Sequence, residues 1–545
     1  MTPRAARLAL AILAILAIAV GIDNLDRPLA NPDEGRYSEI AREMVAGGDW
    51  VTPRLNGLKY FEKPPLQYWA GAAALAAFGD LEFAARLYTW LAGLATILVV
   101  GYTAARVGSR AEGLAAMVAL VASPYFFALS GVVTLDMGLT LWTTATFCAW
   151  MNAEIVPWER ARRRWMLAAW AARALAVLSK GLVGIVLPAA GLALACAARR
   201  DFTPFARLEW TRGLAVFAAI AAPWFVAVSL VNPEFAGFFF VHEHFNRFLT
   251  TAHGRHEPWW YFLPILGAGV LPWLFALPAA IGHAWRSEDL ATGARPMRFA
   301  LLFSAFVVVF FSLSGSKLPT YILPAFPATA MVLGRYLAQA EPRRIATRLW
   351  PVPLAALALA FLAWRMPDGA RDAWMRSMFV DARPWALAGA ATLAVAGVAA
   401  ALLARRARRW HAIALLAIGS VAMVGCVGRA YDAMSPRQSG LEVALKMRPL
   451  LSPRTRLYSV AHYDQTVPFY VGRTFTLVGH VDEFAAGLAS QPERHLELAA
   501  FPAEWQRPGD ALAIMNPDKY EAFRAQGLPM RVIHQDPRRI LVRKP

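Results

Sequence analysis

Asp33, Glu34, Arg36, Glu39, Arg42 and Glu43 crowd into NPDEGRYSEIAREM, Asn31 to Met44, shortly after an apolar run from Leu8 to Ile22. A second set, Lys59, Tyr60, Glu62 and Lys63, follows in RLNGLKYFEKPPLQYW before the chain turns apolar again. Two facing sets of charges beside an apolar region suit an amphiphile with a charged head. Cations there take up negative charge growing on a leaving group, and carboxylates orient a polar partner or hold an ammonium. The plainer reading stands beside this one. Acids in a first helical turn are favoured by the helix dipole, by about 0.3 to 1 kcal/mol, with no chemistry attached.

Other candidates lie further along. Asp136 occupies a tight turn before an apolar run, as a second carboxylate, a partner to Lys63 or Arg36, or a helix cap. Lys180 and Lys317 end apolar segments, where they either meet a substrate or snorkel to the interface. Lys63 is better aimed, because Pro64 and Pro65 hold the chain after it extended. Tyr321, in KLPTYILP, either lines a site or serves as an interfacial aromatic.

The loop VHEHFNRFLTTAHGRHEPWW carries His242, His244, His253 and His256 with Glu243 and Glu257. His242 and His244, two apart, would diverge on a helix, so a closed structural metal site is not expected. A divalent metal between Glu62 and His242 is the one cofactor candidate. The alternative is a polar loop over a cavity, with Trp259, Trp260 and Tyr261 as an aromatic belt.

The elements that position these groups follow from composition. Of 545 residues 58% are hydrophobic and 17% charged, with 20 Trp and 31 Phe, and mean hydropathy is +0.40. Repeated apolar runs separated by short Arg-rich stretches read as a polytopic α-helical membrane protein with about thirteen transmembrane helices. The expected spans are roughly 8 to 22, 85 to 105, 112 to 129, 137 to 151, 165 to 179, 182 to 198, 212 to 231, 260 to 281, 298 to 313, 319 to 338, 350 to 365, 385 to 404 and 410 to 428. The net charge of +18 points to no nucleic-acid partner, because the arginines cluster between spans, as at Arg162 to Arg164, Arg199 and Arg200, or Arg405 and Arg406. Cys148, Cys196 and Cys426 all lie in apolar runs, and no structural disulfide is expected. The first run also fits a signal peptide, although the chain beyond it continues the membrane pattern.

Leu66 to Gly79 is apolar over too few residues to span comfortably. Placing it at the surface or as a re-entrant helix puts every Arg cluster in the cytoplasm. Asp33, Lys63, Asp136, Lys180, Lys317 and the tail then share the outer face. Asn31 as cap, Pro32 in the first turn and Glu34 three residues on predict a helix lying along the outer surface. After about Tyr431 the chain alternates β-rich runs such as RLYSVAH and ALAIMN with helical patterns such as PDKYEAFRAQ. The domains are therefore expected as residues 1–430 in the membrane and a small soluble α/β domain at 431–545.

NPDEGRY, FEKPPLQYW, EFAARLYTWLAG, VVTLDMGLT, LSKGLVGIVLP and SGSKLPTYILPAFP, in this order, resemble the lipid A aminoarabinose transferases, the ArnT family. That family is related to the protein O-mannosyltransferases. The resemblance implies a GT-C type membrane glycosyltransferase of the bacterial inner membrane, with its site on the periplasmic face. It implies undecaprenyl phosphate bearing 4-amino-4-deoxy-L-arabinose as donor and a lipid A phosphate as acceptor, both held among membrane lipid. Asp33, Asp136 and Lys63 are then the catalytic candidates, with Arg36, Tyr37, Lys59, Tyr60, Glu62, Lys180, Lys317 and Tyr321 binding substrate. The same architecture acting on a protein hydroxyl or another glycan is the nearest rival. A transporter would place its charges nearer mid-membrane, and a scaffold would give them no purpose.

Overall fold

The computed structural model describes residues 3–240, 257–287 and 295–545. Long helices form a bundle whose core is built from Leu, Val, Phe and many alanines, and a mixed sheet covers one end. Leu98, Leu214, Leu230, Leu354, Phe361 and Val395 stay exposed on the flanks, as a lipid-facing surface requires.

The helices nearest the site, in chain order, are α1 (Pro3–Asp23), α2 (Asp33–Gly47), α3 (Leu66–Phe78), α4 (Glu82–Val107), α5 (Arg110–Val121), α6 (Pro124–Leu129), α7 (Leu135–Ile155), α8 (Glu159–Lys180) and α9 (Val183–Arg199). Each expected span falls on a helix or helix pair. Among the described residues, five helices are long and apolar enough to cross a membrane singly: α4, Trp210–Val231, Pro342–Gly369, Ala373–Arg405 and Arg409–Ala433. The bundle is more broken than the hydropathy runs implied. The run at 112 to 129 divides into α5 and α6, with Ser123 and Pro124 at the break. The run at 260 to 281 is two helices bent by 106°, with Pro272 between them. In the other direction, Ala373–Arg405 begins well before the expected start at 385, so much of an expected outer loop is helical.

The helix α3 has 13 residues, a rise of about 20 Å, short of a bilayer. It packs on α2 and α4 and closes the same end of the bundle as the start of α7 and the end of α8. Against expectation, α2 does not lie along an open surface. Its Glu34, Tyr37, Glu39, Ile40, Ala41 and Met44 are buried between α3 and the helix Thr466–Val471 of the sheet domain.

Asn31 does not cap α2 either. Its side chain donates to Asp464 at 2.7 Å, and Glu34, expected to complete the cap, accepts from the buried Arg86 of α4. The Val133 amide donates to the same Glu34 carboxylate at 2.9 Å. Burial alone would raise Glu34's pKa, but the Arg86 guanidinium outweighs it and holds the carboxylate below its usual range. A buried ion with several charge-assisted bonds outcompetes a cap exposed to water.

A hairpin of β1 (Arg54–Leu55) and β2 (Leu58–Lys59) turns at Asn56 and Gly57, both with positive φ, the conformation Asn-Gly pairs favour. The distal sheet runs β5–β4–β3–β6–β8–β7, with β3 (Arg456–Val460), β4 (Thr476–Val478), β5 (His495–Leu496) and β6 (Ala511–Met515) parallel. The antiparallel edge is β7 (Arg531–Gln535) and β8 (Ile540–Arg543). The loops leaving the carboxyl ends of β3 and β4 carry Asp464 and Glu483, which reach Asn31 and Arg36. The sheet domain thus holds the start of α2 from above.

Candidate functional site

Where α2, the Glu62–Lys63 segment, the start of α7 and the end of α8 meet the sheet domain, they enclose a cavity of about 200 Å³. Asp33, Arg36 and Tyr37 come from α2, Asp136 from the first turn of α7, and Lys180 from the last turn of α8. Tyr321 lies on the wall beside Leu318 and Phe238. Helix ends bring these groups together: α7 starts and α8 finishes at this end of the bundle, while the Arg160 to Arg164 cluster starts α8 at the other.

The charges form linked pairs. Arg36 donates to Asp33 at 3.0 Å and pairs with Glu483 at 2.6 Å. Burial alone would lower the Arg36 pKa, but the Glu483 and Asp33 carboxylates bonded to it hold it above its ordinary value. Lys180 is bonded to Asp136 and lies 4.4 Å from the centre of the Tyr321 ring. Lys63 donates to the Glu62 carbonyl at 2.8 Å, and its ammonium is 3.9 Å from the Glu62 carboxylate. Asp33 keeps 40% of its side chain exposed, the most open of these acids for which pairing is seen. Burial raises the Tyr37 and Tyr60 phenols well above their ordinary pKa, so both stay neutral donors.

Most sequence candidates converge here: Asp33, Arg36, Tyr37, Glu62, Lys63, Asp136, Lys180 and Tyr321 all line the cavity. Three do not. Lys59 points away to Glu234 at 2.7 Å. Lys317 is buried and donates to the Glu257 and Ser314 carbonyls at 2.9 and 2.8 Å, a structural tie. Tyr60 is buried behind the wall beside Arg36 and Glu62, its hydroxyl without a hydrogen-bond partner among the described residues. Asp136 is paired with Lys180, where sequence suggested Lys63 or Arg36. His242 lies outside the described residues, and among those described no group of three or more His, Cys, Asp or Glu could hold a metal ion.

The sequence reading missed Asp482 and Glu483, which the sheet domain adds to the wall. Their signal was the acid pair in GHVDEF, directly after a β-rich run. Parallel strands present ligand-facing loops at their carboxyl ends, and these residues leave β4 at that end. With them, the described wall carries five carboxylates, Asp33, Glu62, Asp136, Asp482 and Glu483, against three cations, Arg36, Lys63 and Lys180.

A membrane helix bundle of GT-C type, with a charged cavity beneath an outer domain, is the class that this fold and cavity define. The chain superposes on ArnT from Cupriavidus metallidurans bound to undecaprenyl phosphate with a TM-score of 0.93 and 33% identity, covering 98% of this chain and 97% of that one. The apo state of the same enzyme gives 0.92 and 34%. The chain belongs to the ArnT family.

Residues 443–544 match the aminoarabinose transferase C-terminal domain, and residues 7–244 match the dolichyl-phosphate-mannose-protein mannosyltransferase family. A protein of Pseudomonas aeruginosa named undecaprenyl phosphate-alpha-4-amino-4-deoxy-L-arabinose arabinosyl transferase is 36% identical over 368 residues, 64% of this chain and 65% of that protein. The relative of that name from Erwinia tasmaniensis is 33% identical over 312 residues, and the match spans 56% of its length.

Proposed function

We propose that this protein transfers 4-amino-4-deoxy-L-arabinose from undecaprenyl phosphate to a phosphate of lipid A, at the periplasmic face of the bacterial inner membrane. The observation that carries this reading is the cavity's charge pattern: five acids outnumber three cations, and all eight line one wall. An excess of carboxylates suits a sugar bearing an ammonium and gives a neutral hexose no advantage. In this reading residues 1–430 are the membrane transferase and 431–545 a periplasmic domain that completes the site.

The reaction is an inverting displacement at the anomeric carbon. The bond from that carbon to the carrier phosphate breaks, an acceptor phosphate oxygen forms the new bond, and the carrier leaves as polyprenyl monophosphate. Lys63, Arg36 and Lys180 meet the charge growing on that leaving phosphate, and Tyr37 and Tyr321 flank it. A phosphate monoester, with a second pKa of about 6, is mostly ionised at neutral pH, so Asp33 orients the acceptor rather than serving as a strong base. Asp136 sets the position of Lys180, and Glu483 with Asp482 takes the sugar's ammonium. A divalent cation between Glu62 and His242 would add positive charge beside the leaving group; chelation followed by metal add-back reads whether transfer needs one.

The experiment is mass spectrometry of lipid A from a deletion strain and its complemented parent, grown where the aminosugar donor is made. The aminopentose substituent is absent from the first and restored in the second. The mannosyltransferase-like region favours one second reading, transfer to a protein hydroxyl or another glycan. Identical lipid A spectra with a sugar missing from another acceptor would select it.

A further inference from the structure

A second cavity, about 540 Å³ and larger than the first, opens at the amino ends of β3, β4 and β5, away from the loops that reach Asp33 and Arg36. Arg454, Arg456, Arg473, Arg494 and His495 line it, with Asn56 from the hairpin turn. Of its two acids, Glu504 is already engaged by Arg456, Arg507 and the Tyr458 hydroxyl. Glu493 is exposed and makes no ion pair among the described residues. Arg473 spends its guanidinium on the Ser452 and Thr455 carbonyls, at 2.9 and 2.8 Å, which fix it without neutralising it. Arg454 and Arg494 are exposed and have no carboxylate partner among the described residues. The Nε2 atom of His495 is buried with no hydrogen-bond partner among them.

Three guanidinium groups outside the ion pairs of the described residues, those of Arg454, Arg473 and Arg494, against one uncommitted carboxylate, in a concave wall, make a site for phosphate or carboxylate. Its position says which molecule can bring one. Asn56 is at the tip of the hairpin, and Glu62, six residues on, lines the catalytic cavity, so the two cavities lie within about 20 Å along one segment. The tip is held there firmly. The Asn56 side chain donates to the Phe475 carbonyl at 2.8 Å and accepts from the Phe475 amide at 2.7 Å, and the end of the Arg494 side chain lies against Gly57.

We propose that this groove binds a second anionic group, a phosphate or a carboxylate, on the polar part of the glycolipid acceptor while its reacting phosphate occupies the catalytic cavity. The site rests on the glycolipid-acceptor reading above. It makes the sheet domain a specificity element: an acceptor carrying one phosphate reaches only the first cavity, and a polyanionic one engages both.

The test uses full-length protein in neutral detergent with the double variant Arg454→Glu and Arg494→Glu. Both side chains are exposed and outside the ion pairs of the described residues, so folding is retained. Transfer is measured to two acceptors, a lipid A bearing only the reacting phosphate and one bearing further phosphate or acidic sugars. Direct binding of the second acceptor is measured without donor. The proposal expects the double variant to raise KM and Kd for the polyanionic acceptor by about tenfold, leaving kcat and the single-phosphate acceptor unchanged. Equal effects on both acceptors, or none, would overturn it. So would an effect that emerges only when anionic phospholipid is added, because the groove then serves the membrane surface. If wild-type protein transfers to neither acceptor, the functional reading fails, and the binding measurement still decides the groove.

Discussion

Asp33 is open to the cavity while Arg36, one turn on, is nearly enclosed, so the acid can meet a substrate and the guanidinium fixes how it does so. We expect Asp33→Asn and Lys63→Ala each to lower transfer on the order of 100-fold, the usual loss when a preorganised charge is removed, with membrane insertion and Tm unchanged. Near-normal turnover of Asp33→Asn would leave that residue only its favourable place at a helix start. A second residue-scale consequence lies deeper on α2. Burial, then the neighbouring Glu39, push the Glu43 carboxyl up to about 8, and Arg42 is already bound to Glu39 through two bonds of 2.7 Å. The folded protein therefore holds a proton at Glu43 that the unfolded chain releases near its ordinary value of about 4.3. This stability is fully present below that value and is lost as pH rises toward 8. Thermal melts should fall in Tm across that window, and Glu43→Gln should reduce the slope, leaving the part due to Glu39, which burial also raises. An unchanged slope would remove Glu43 from the account. These residues stood out in the sequence as charges at an apolar border, but their pairings did not. Lys180 with Asp136, and Glu34 with Arg86, are contacts between distant segments, and no local spacing encodes them.

Element by element, the apolar runs were legible because a spanning helix needs a run of a length that few other structures require. The breaks in them were not, since hydropathy is blind to direction, and Pro272 turns the chain without making it polar. The burial of α2 was equally hidden. Its charges were expected to face water or a cavity; Asp33 and Arg36 do line a cavity, and the sheet domain that closes it fits through Gly35, where a β-carbon would strike the backbone of Gln465 and Thr466. The tie beside it is the buried pair of Asp464 and Arg539, each 1% exposed. Asp464 accepts from Asn31 at 2.7 Å and from the Thr466 hydroxyl at 2.7 Å, so the residues just before Asp33 are anchored on the distal sheet. Arg539→Ala should cost about 3 to 5 kcal/mol, because it removes the buried partner of Asp464 and leaves that carboxylate only the more exposed Arg538 at 3.7 Å. It should also lower kcat, because the start of α2 is released. Trp505→Ala, in the other core of the same domain, should lower Tm without the matching loss of kcat per folded molecule. Equal kcat in the two variants, at matched folded fraction, would show that the sheet domain does not set the site.

Across the whole molecule, the charged cavity and the arginine clusters lie at opposite ends of the bundle, an arrangement that gives the protein one orientation in the membrane. Single cysteines replacing Asp33 and the exposed Ser490 should react with an impermeant reagent added from the periplasmic side, and one replacing Arg162 should not. Labelling of Arg162→Cys from that side in intact cells would reverse the topology. The order of motifs along the chain made the family legible, but the groove proposed for the acceptor is lined by two distant segments, the hairpin tip at Asn56 and the sheet domain, and no local motif marks it. Reconstitution puts the proposed transfer to its plainest test: purified full-length protein, undecaprenyl phosphate carrying the aminosugar, and lipid A, with products read by mass. The expected product is lipid A heavier by one aminopentose on a phosphate, formed together with free undecaprenyl phosphate and abolished by Asp33→Asn. Release of undecaprenyl phosphate with lipid A unmodified, or transfer only when a protein or another glycan is supplied, would contradict it.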